Sequence, residues 1–373
     1  MNFILNNNLP RVKTSTQTVL LSFTFIFVIF LIFSPGNVIS EENQQSVKFS
    51  GVDSLVDVAV DYFYQKKFDV ALNICDSVIN LYPENPLGYL GKAGVYHLLM
   101  LNYRVNLFDQ QFDSLTTLAI EAAQKAVIKY KKDADAFFVL GSSYGFRGLN
   151  RIRRGEWLSA FYDGMRGMSN IRKAHRLDNE MWDVYYAFGL FYYWKSAKAK
   201  VLTFLRLMKD EREKGIEYLK IAIEKGKYTS EESKFALIEI YYYEDRYHEA
   251  LKECNSISEI FRDDPTWNYL MAKIYGKLNQ WKQAKIFYTK LLELLEQSPF
   301  KSYSFFAECH YGLAKCAFET KDFTTAESEI KLAIKLSEKW DKKKEIEGPL
   351  LDFDLVLKRI KKLENELKEI IRQ

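Results

Sequence analysis

The sequence predicts an all-α protein, a solenoid of about seven stacked helical hairpins closed by a C-terminal capping helix. Three observations carry this expectation. Only seven prolines and 17 glycines punctuate 373 residues, fewer turn residues than a sandwich or doubly wound sheet of this size needs. The balance of 48% hydrophobic to 27% charged residues is that of an ordinary globular chain. Small and large apolar residues recur at fixed helical offsets from Leu55 onward.

Residues 1–40 read as an address. Arg11 and Lys13 precede an apolar run from Val19 to Phe33, and Ser34-Pro35-Gly36 then breaks any helix. The run is short for a span, which needs roughly 17–25 residues. Val38 and Ser40 suit the −3 and −1 places of a signal peptidase, so cleavage after Ser40 is expected. The alternative is a retained N-terminal membrane anchor. Either way the remainder is expected to be exported, periplasmic or secreted. Of 53 basic residues, losing Arg11 and Lys13 leaves 51 against 49 acidic ones, about +2. Such a chain has no global field to draw it onto nucleic acid.

The repeat begins with Leu55, Ala59, Tyr62, Ala71, Cys75, Val78 and Pro83. Ala59 and Ala71 are small where two helices must cross closely, Tyr62 fills the gap between them, and Pro83 stops the second helix. The pattern returns at Ile238, Tyr241 and Ala250, then 34 residues later at Ala272, Tyr275 and Ala284. A further copy has Ala314, Ala326 and Ala333, displaced by 42. Over residues 52–341 this resembles the tetratricopeptide repeat, whose 34 residues form two antiparallel helices. The signal-like start and Lys/Asn/Ile-rich usage suit an exported protein of bacterial type.

The centre, about residues 86–229, departs from that pattern in a regular way. First-helix markers Ala93/Tyr96, Gly141/Tyr144 and Gly189/Tyr192 are 48 residues apart, as are the second-helix markers Ala126, Ala174 and Ala222. Each central unit thus has fourteen extra residues between its helices. Split as seven and seven, they add nearly two turns to each helix and keep the buried faces in phase. These units are expected to project as long hairpins. Residues 350–373 form one more helix, with Phe353, Val356, Ile360, Leu363, Leu367 and Ile370 in a coiled-coil-like stripe. It is expected to cover the apolar face of the last repeat, and self-association through it is the sharper alternative.

Little in the chain points to catalysis. Gly141-Ser142-Ser143-Tyr144-Gly145 matches the G-x-S-x-G of serine hydrolases, which works only on a strained strand-to-helix turn. Here it falls on repeat markers, within a helix. His97, His175, His248 and His310 are scattered, with no paired ligand spacing. Neither a metal nor any cofactor is expected. Cys75 and Cys254 occupy core places, and Cys309 and Cys316 are too far apart along one helix to bridge. Buried free thiols are expected.

The resemblance implies a non-catalytic scaffold or adaptor that holds a protein or peptide in a concave groove lined by first helices. The implied groove places are Phe138, Phe146, Tyr186, Tyr193, Trp194, Phe235, Tyr242, Tyr243 and Tyr269, with Glu239 and Lys273 nearby. Aromatic rings of this kind are enriched in binding hot spots. The Lys/Arg/Asn clamp for a C-terminal carboxylate is not reproduced there. The alternative is a cell-envelope module that binds glycan or lipid with the same rings. Two further stretches invite a partner or a membrane surface: Arg147, Arg151, Arg153, Arg154 and Trp157, and Lys195, Lys198 and Lys200 followed by the apolar run 201–208.

Overall fold

The computed structural model describes residues 53–198 and 209–372, and the N-terminal address and the run 201–208 lie outside them. Among the described residues fifteen α-helices follow one another. Fourteen of them pair as antiparallel hairpins. These are α1 (Asp53–Tyr64) with α2 (Phe68–Leu81), α3 (Pro86–Tyr103) with α4 (Asp109–Lys129), and α5 (Ala134–Arg153) with α6 (Trp157–Leu177). Next come α7 (Val184–Lys198) with α8 (Arg212–Lys225), and α9 (Ser230–Tyr243) with α10 (Tyr247–Ser256). The series ends with α11 (Pro265–Lys277) and α12 (Trp281–Gln297), α13 (Tyr303–Glu319) and α14 (Phe323–Ser337), and the single α15 (Phe353–Arg372). The expected seven hairpins and capping helix are present.

Capping residues open many of the first helices. The Asn85 carboxamide accepts from Leu87 N at 2.9 Å ahead of Pro86, and Asp264 accepts from Trp267 N at 2.9 Å ahead of Pro265. Asp133 and Ser302 serve α5 and α13 in the same way. Each side chain satisfies an amide that the first turn leaves without a partner, and proline is harmless at N1.

The turns inside the hairpins repeat one geometry. Lys66, Arg104, Gly155, Asp245, Asn279 and Lys321 each adopt positive φ immediately after a first helix or within two residues of its end. Two residues after Lys66's predecessor and its equivalents, an amide reaches back five residues: Lys67 N to Tyr62 O, Val105 N to Met100 O, Glu156 N to Arg151 O, Arg246 N to Tyr241 O, Gln280 N to Tyr275 O and Asp322 N to Ala317 O. This is the Schellman closure of a helix C-terminus. The corresponding turn of the α7–α8 hairpin falls in the part of the chain not described.

Small residues occupy the crossings as expected. Ala71, Ala93, Ala174, Ala222, Ala250, Ala272, Ala284, Ala314, Ala326 and Ala333 have no exposed surface. Where the marker is glycine the backbones come closer still: a Cβ on Gly215 would stand 2.7 Å from Gly189 O and 2.6 Å from Tyr193 N. Two of the three lengthened central hairpins are continuous helix, 18 and 21 residues for α3 and α4, then 20 and 21 for α5 and α6, against 12 and 14 for α1 and α2. The extra length of the third lies partly in residues 199–208, outside the described residues. The capping helix lies on α13 and α14 and buries Phe353, Val356, Ile360, Leu363 and Leu367. Of the six stripe residues only Ile370 stays exposed, so the stripe is consumed within the chain.

Candidate functional site

The inner-face aromatics do not form one open trough. Tyr193, Trp194, Tyr242 and Tyr269 are buried. Tyr193 donates its hydroxyl to Glu244 Oε1 at 3.1 Å, and its ring meets Trp194 edge-on at 4.9 Å. Trp194 in turn abuts Tyr243 at 5.6 Å. Tyr242 packs on Tyr247 from the next helix, and Tyr269 on Phe305 of α13. Phe138, Phe146, Tyr186 and Phe235 are half-buried, Phe146 against His97 and Phe112, and Phe235 against Phe261. Tyr243 alone of the nine exposes a large share, 42%. The structure therefore joins Tyr193, Trp194 and Tyr243 into one group and leaves the others in separate contacts. Inside the curve, Glu239 is half-buried near Tyr186, and burial pushes its carboxyl up to about 8.

What fills the inner face is the chain itself. Beyond α3, Arg104 is buried with φ 50° and lies over the rings of Phe305, 3.7 Å away, and Tyr269, 4.3 Å away. Its Nη1 donates to Glu308 Oε2 at 2.7 Å. The other oxygen of Glu308 accepts from Tyr269 Oη at 2.9 Å and from Lys273 Nζ at 3.0 Å. Burial alone would raise the Glu308 carboxyl, but Lys273 and Arg104 outweigh it and hold the group down to about 2. The connection between α14 and α15 returns to cover this contact. Asn106 N donates to Lys344 O at 2.8 Å, Ile346 N to Arg104 O at 3.0 Å, and Val105 pairs with Glu345 as an antiparallel bridge. Asn102 donates to Asp264 at 3.1 Å, and Lys66 is ion-paired to the same carboxylate. The solenoid is thus closed, its first two hairpins fastened to its last two and to the connection that follows them. Arg104 and Glu308 were not among the residues expected from the repeat. Neither stands at a repeat marker, and no spacing in the sequence relates them.

A group of exposed apolar side chains lies at a hairpin tip. Gly155, at φ +77°, turns the chain from α5 into α6, and the first turns of α6 expose Trp157 by 43%, Leu158 by 77% and Tyr162 by 59%. The arginines beside them are not a free basic surface, contrary to a headgroup-binding reading. Arg147 grips buried Asp163 with two hydrogen bonds of 2.9 Å, and Arg151 adds a third at 2.7 Å. Arg153 is paired with Asp109, and Arg154 with Asp113 and Glu156. Four arginines meet four carboxylates, so the tip is apolar and close to electrically neutral. Of the second expected stretch, Lys195 is paired with Glu211 at 3.0 Å, while Lys200 and residues 201–208 lie outside the described residues.

Ser143 is buried inside α5 and donates its hydroxyl to Val139 O at 2.7 Å, so it has neither the exposure nor the turn that a nucleophile elbow supplies. His97 is enclosed by Phe112 and Phe146, and burial presses its imidazole down to about 3. His310 contacts Glu329 at 2.7 Å. Among the described residues no group of three or more His, Cys, Asp or Glu side chains is placed to hold a metal ion. All four cysteines are free and buried, and burial pushes the Cys75 thiol up to about 11. No described helix is long and apolar enough to cross a membrane.

Seven hairpins with small residues at each crossing, one left-handed residue per described turn, and a terminal helix over the last apolar face decide the architecture. The chain is a tetratricopeptide-type solenoid. No protein-family model and no curated protein matches the sequence. Among solved structures, this tetratricopeptide-type chain is similar to the C-terminal part of a TPR repeat-containing protein from Cytophaga hutchinsonii. That match has 16% identity and a TM-score of 0.38, covering 77% of this chain and 97% of the other. It is also similar to a chain of the APC/C hetero-tetramer Cut9–Hcn1, at 13% identity and a TM-score of 0.48, covering 78% of this chain and 48% of that one. A third likeness, to yeast Tom70, has 13% identity and a TM-score of 0.34, with 78% and 79% covered. At these values the likenesses bear on neither ligand nor partner.

Proposed function

We propose that the protein is a non-catalytic scaffold of the cell envelope that holds a polypeptide partner on the outer, projecting edge of the solenoid. The observation that carries this reading is the trio Trp157, Leu158 and Tyr162, exposed together at the tip of the hairpin α5–α6. Large apolar side chains grouped on a rigid element, rimmed by paired charges, have the composition of a protein interface. Tyr243, with Trp194 and Tyr193 behind it, is a second contact place from the expected groove set. Half-buried Phe138, Phe146, Tyr186 and Phe235 can contribute only where the ring opens. The envelope location rests on the apolar run and the basic residues before it in the first forty residues.

The test is affinity capture from solubilised envelope with the full chain, beside a variant carrying Trp157→Ala, Leu158→Ser and Tyr162→Ser. A matched Tyr243→Ala variant runs in parallel, and all baits are checked for equal helicity. A polypeptide held by the parent chain and lost from the tip variant supports the reading. Loss confined to the Tyr243 variant moves the contact to the inner face. Enrichment of glycan or lipid without any polypeptide overturns the scaffold reading.

A further inference from the structure

We propose that the inner face of the last two hairpins is a guanidinium slot, which the chain's own Arg104 fills as a self-ligand and which an arginine of a polypeptide partner occupies when α3 withdraws. The proposal goes beyond the scaffold reading, at a different site from the hairpin tip, and rests on that reading for the partner, though not for the slot.

The slot is built from first helices alone. Tyr269 and Lys273 come from α11, and Phe305 and Glu308 from α13. The Phe305 ring centroid lies 3.7 Å and the Tyr269 centroid 4.3 Å from Arg104 Cζ, the two rings set edge-to-face to one another. A buried carboxylate accepts from one guanidinium nitrogen. The setting suits guanidinium because its weakly hydrated plane rests on aromatic rings more readily than ammonium does. The occupant is foreign to these hairpins. Arg104 arrives from the end of α3, 204 residues from Glu308.

Two features make the occupant exchangeable. Glu308 keeps Tyr269 Oη and Lys273 Nζ as partners whether or not Arg104 is present, so an emptied slot leaves no orphaned carboxylate. Arg104 itself is incompletely served, because its Nη2 is buried with no hydrogen-bond partner. An incoming arginine therefore competes with an unsaturated contact. The slot is covered by the connection between α14 and α15, which buries Ile346 against Ala93, Met100 and Phe112. This non-helical connection is held to residues 104–106 by two backbone hydrogen bonds, with Gly348 passing so close that a Cβ there would stand 2.7 Å from Arg104 Cζ.

The experiment compares the parent full chain, Arg104→Ala, and Arg104→Ala combined with Glu308→Gln. The probes are Nα-acetyl-arginine amide and Nα-acetyl-lysine amide at millimolar concentration, read by calorimetry and by the shift in melting temperature. The arginine probe is expected to bind Arg104→Ala at least ten-fold more tightly than the parent chain and to recover part of its lost melting temperature. The lysine probe recovers less, and the double variant binds neither. A folded Arg104→Ala chain that binds the arginine probe no better than the parent overturns the proposal. Should Arg104→Ala not fold, Arg104→Lys retains a cation beside Glu308 but loses the planar group that rests on Phe305 and Tyr269. A gain of at least three-fold for the arginine probe there supports the slot, and no gain overturns it. Failure here with intact polypeptide capture by the hairpin tip removes only the slot, whereas probe binding without any captured polypeptide removes only the scaffold.

Discussion

Arg104 and Glu308 meet at 2.7 Å, and through them the turn of the second hairpin is tied to the first helix of the last. That ion pair joins the second hairpin to the seventh, with the ring centroids of Tyr269 and Phe305 4.3 and 3.7 Å from the guanidinium carbon. The inner surface of the final hairpins is therefore an intramolecular interface.

Removing the carboxylate isolates two buried cations. Glu308→Ala is expected to destabilise the chain by about 3–5 kcal/mol, because Arg104 and Lys273 are left without their shared anion. Denaturant titration measures it. The acid limb carries the sign. The Glu308 carboxyl is held at about 2 in the fold against 4.5 ordinarily, so its contribution is complete above about pH 4.5 and is lost as pH falls towards 2. Glu308→Gln should flatten that limb, and an unchanged limb would refute the role assigned to this carboxylate.

Glu239 has the opposite dependence. Burial raises its carboxyl to about 8, so folding takes up a proton between the ordinary value near 4.5 and 8, and stability falls as pH rises through that window. With its partial solvent contact discounted, the loss amounts to roughly 2 kcal/mol. Glu239→Gln should match the parent chain at pH 4 and melt higher at pH 9. Equal melting temperatures at pH 9 would show that this carboxyl ionises without cost.

Glycine at the α7–α8 crossing is a packing requirement. Gly215→Ala would set a Cβ 2.6 Å from Tyr193 N and 2.7 Å from Gly189 O, both backbone atoms that cannot turn aside. A loss of about 2–4 kcal/mol is expected. Gly145→Ala is the control. A Cβ there meets nothing within 4 Å, so the change should be neutral or stabilising by up to about 1 kcal/mol through better helix propensity. Thermal melts of the two variants should move in different directions.

Lys321 holds φ 63° in the turn between α13 and α14. A side chain in that left-handed region is strained, whereas glycine is not. Lys321→Gly is accordingly expected to stabilise the chain by up to about 1 kcal/mol, as read from the denaturation midpoint. A drop in stability would mean that chain entropy outweighs the relieved strain.

The hairpins were legible because their cause is local. Ala71, Ala250, Ala284 and Ala326 announce close helix crossings, Asn85-Pro86 and Asp264-Pro265 announce helix starts, and intervals of 34 and 42 residues reappear as the spacing from Asp245 to Asn279 and on to Lys321. The continuous lengthening of α3 to α6 followed from helical phase, since fourteen residues split evenly keep both buried faces in register. Exposure at Tyr193, Trp194, Tyr242 and Tyr269 was not legible. A first-helix ring looks the same in sequence whether it faces a partner or the helix of the next hairpin.

The sequence by itself determined the repeat unit, the number of hairpins, the terminal cap and the helical setting of Ser143. Each of these depends on residues within about one hairpin of one another, where periodicity and turn chemistry act directly. Only the tertiary structure decided that the ring closes, that Arg104 lies against Tyr269 and Phe305, and that Trp157, Tyr162 and Tyr243 keep large exposed shares. Those outcomes depend on curvature, which sums small rotations over seven hairpins. A few degrees per hairpin decide whether Arg104 meets Glu308 or water, and no spacing in the chain records that sum.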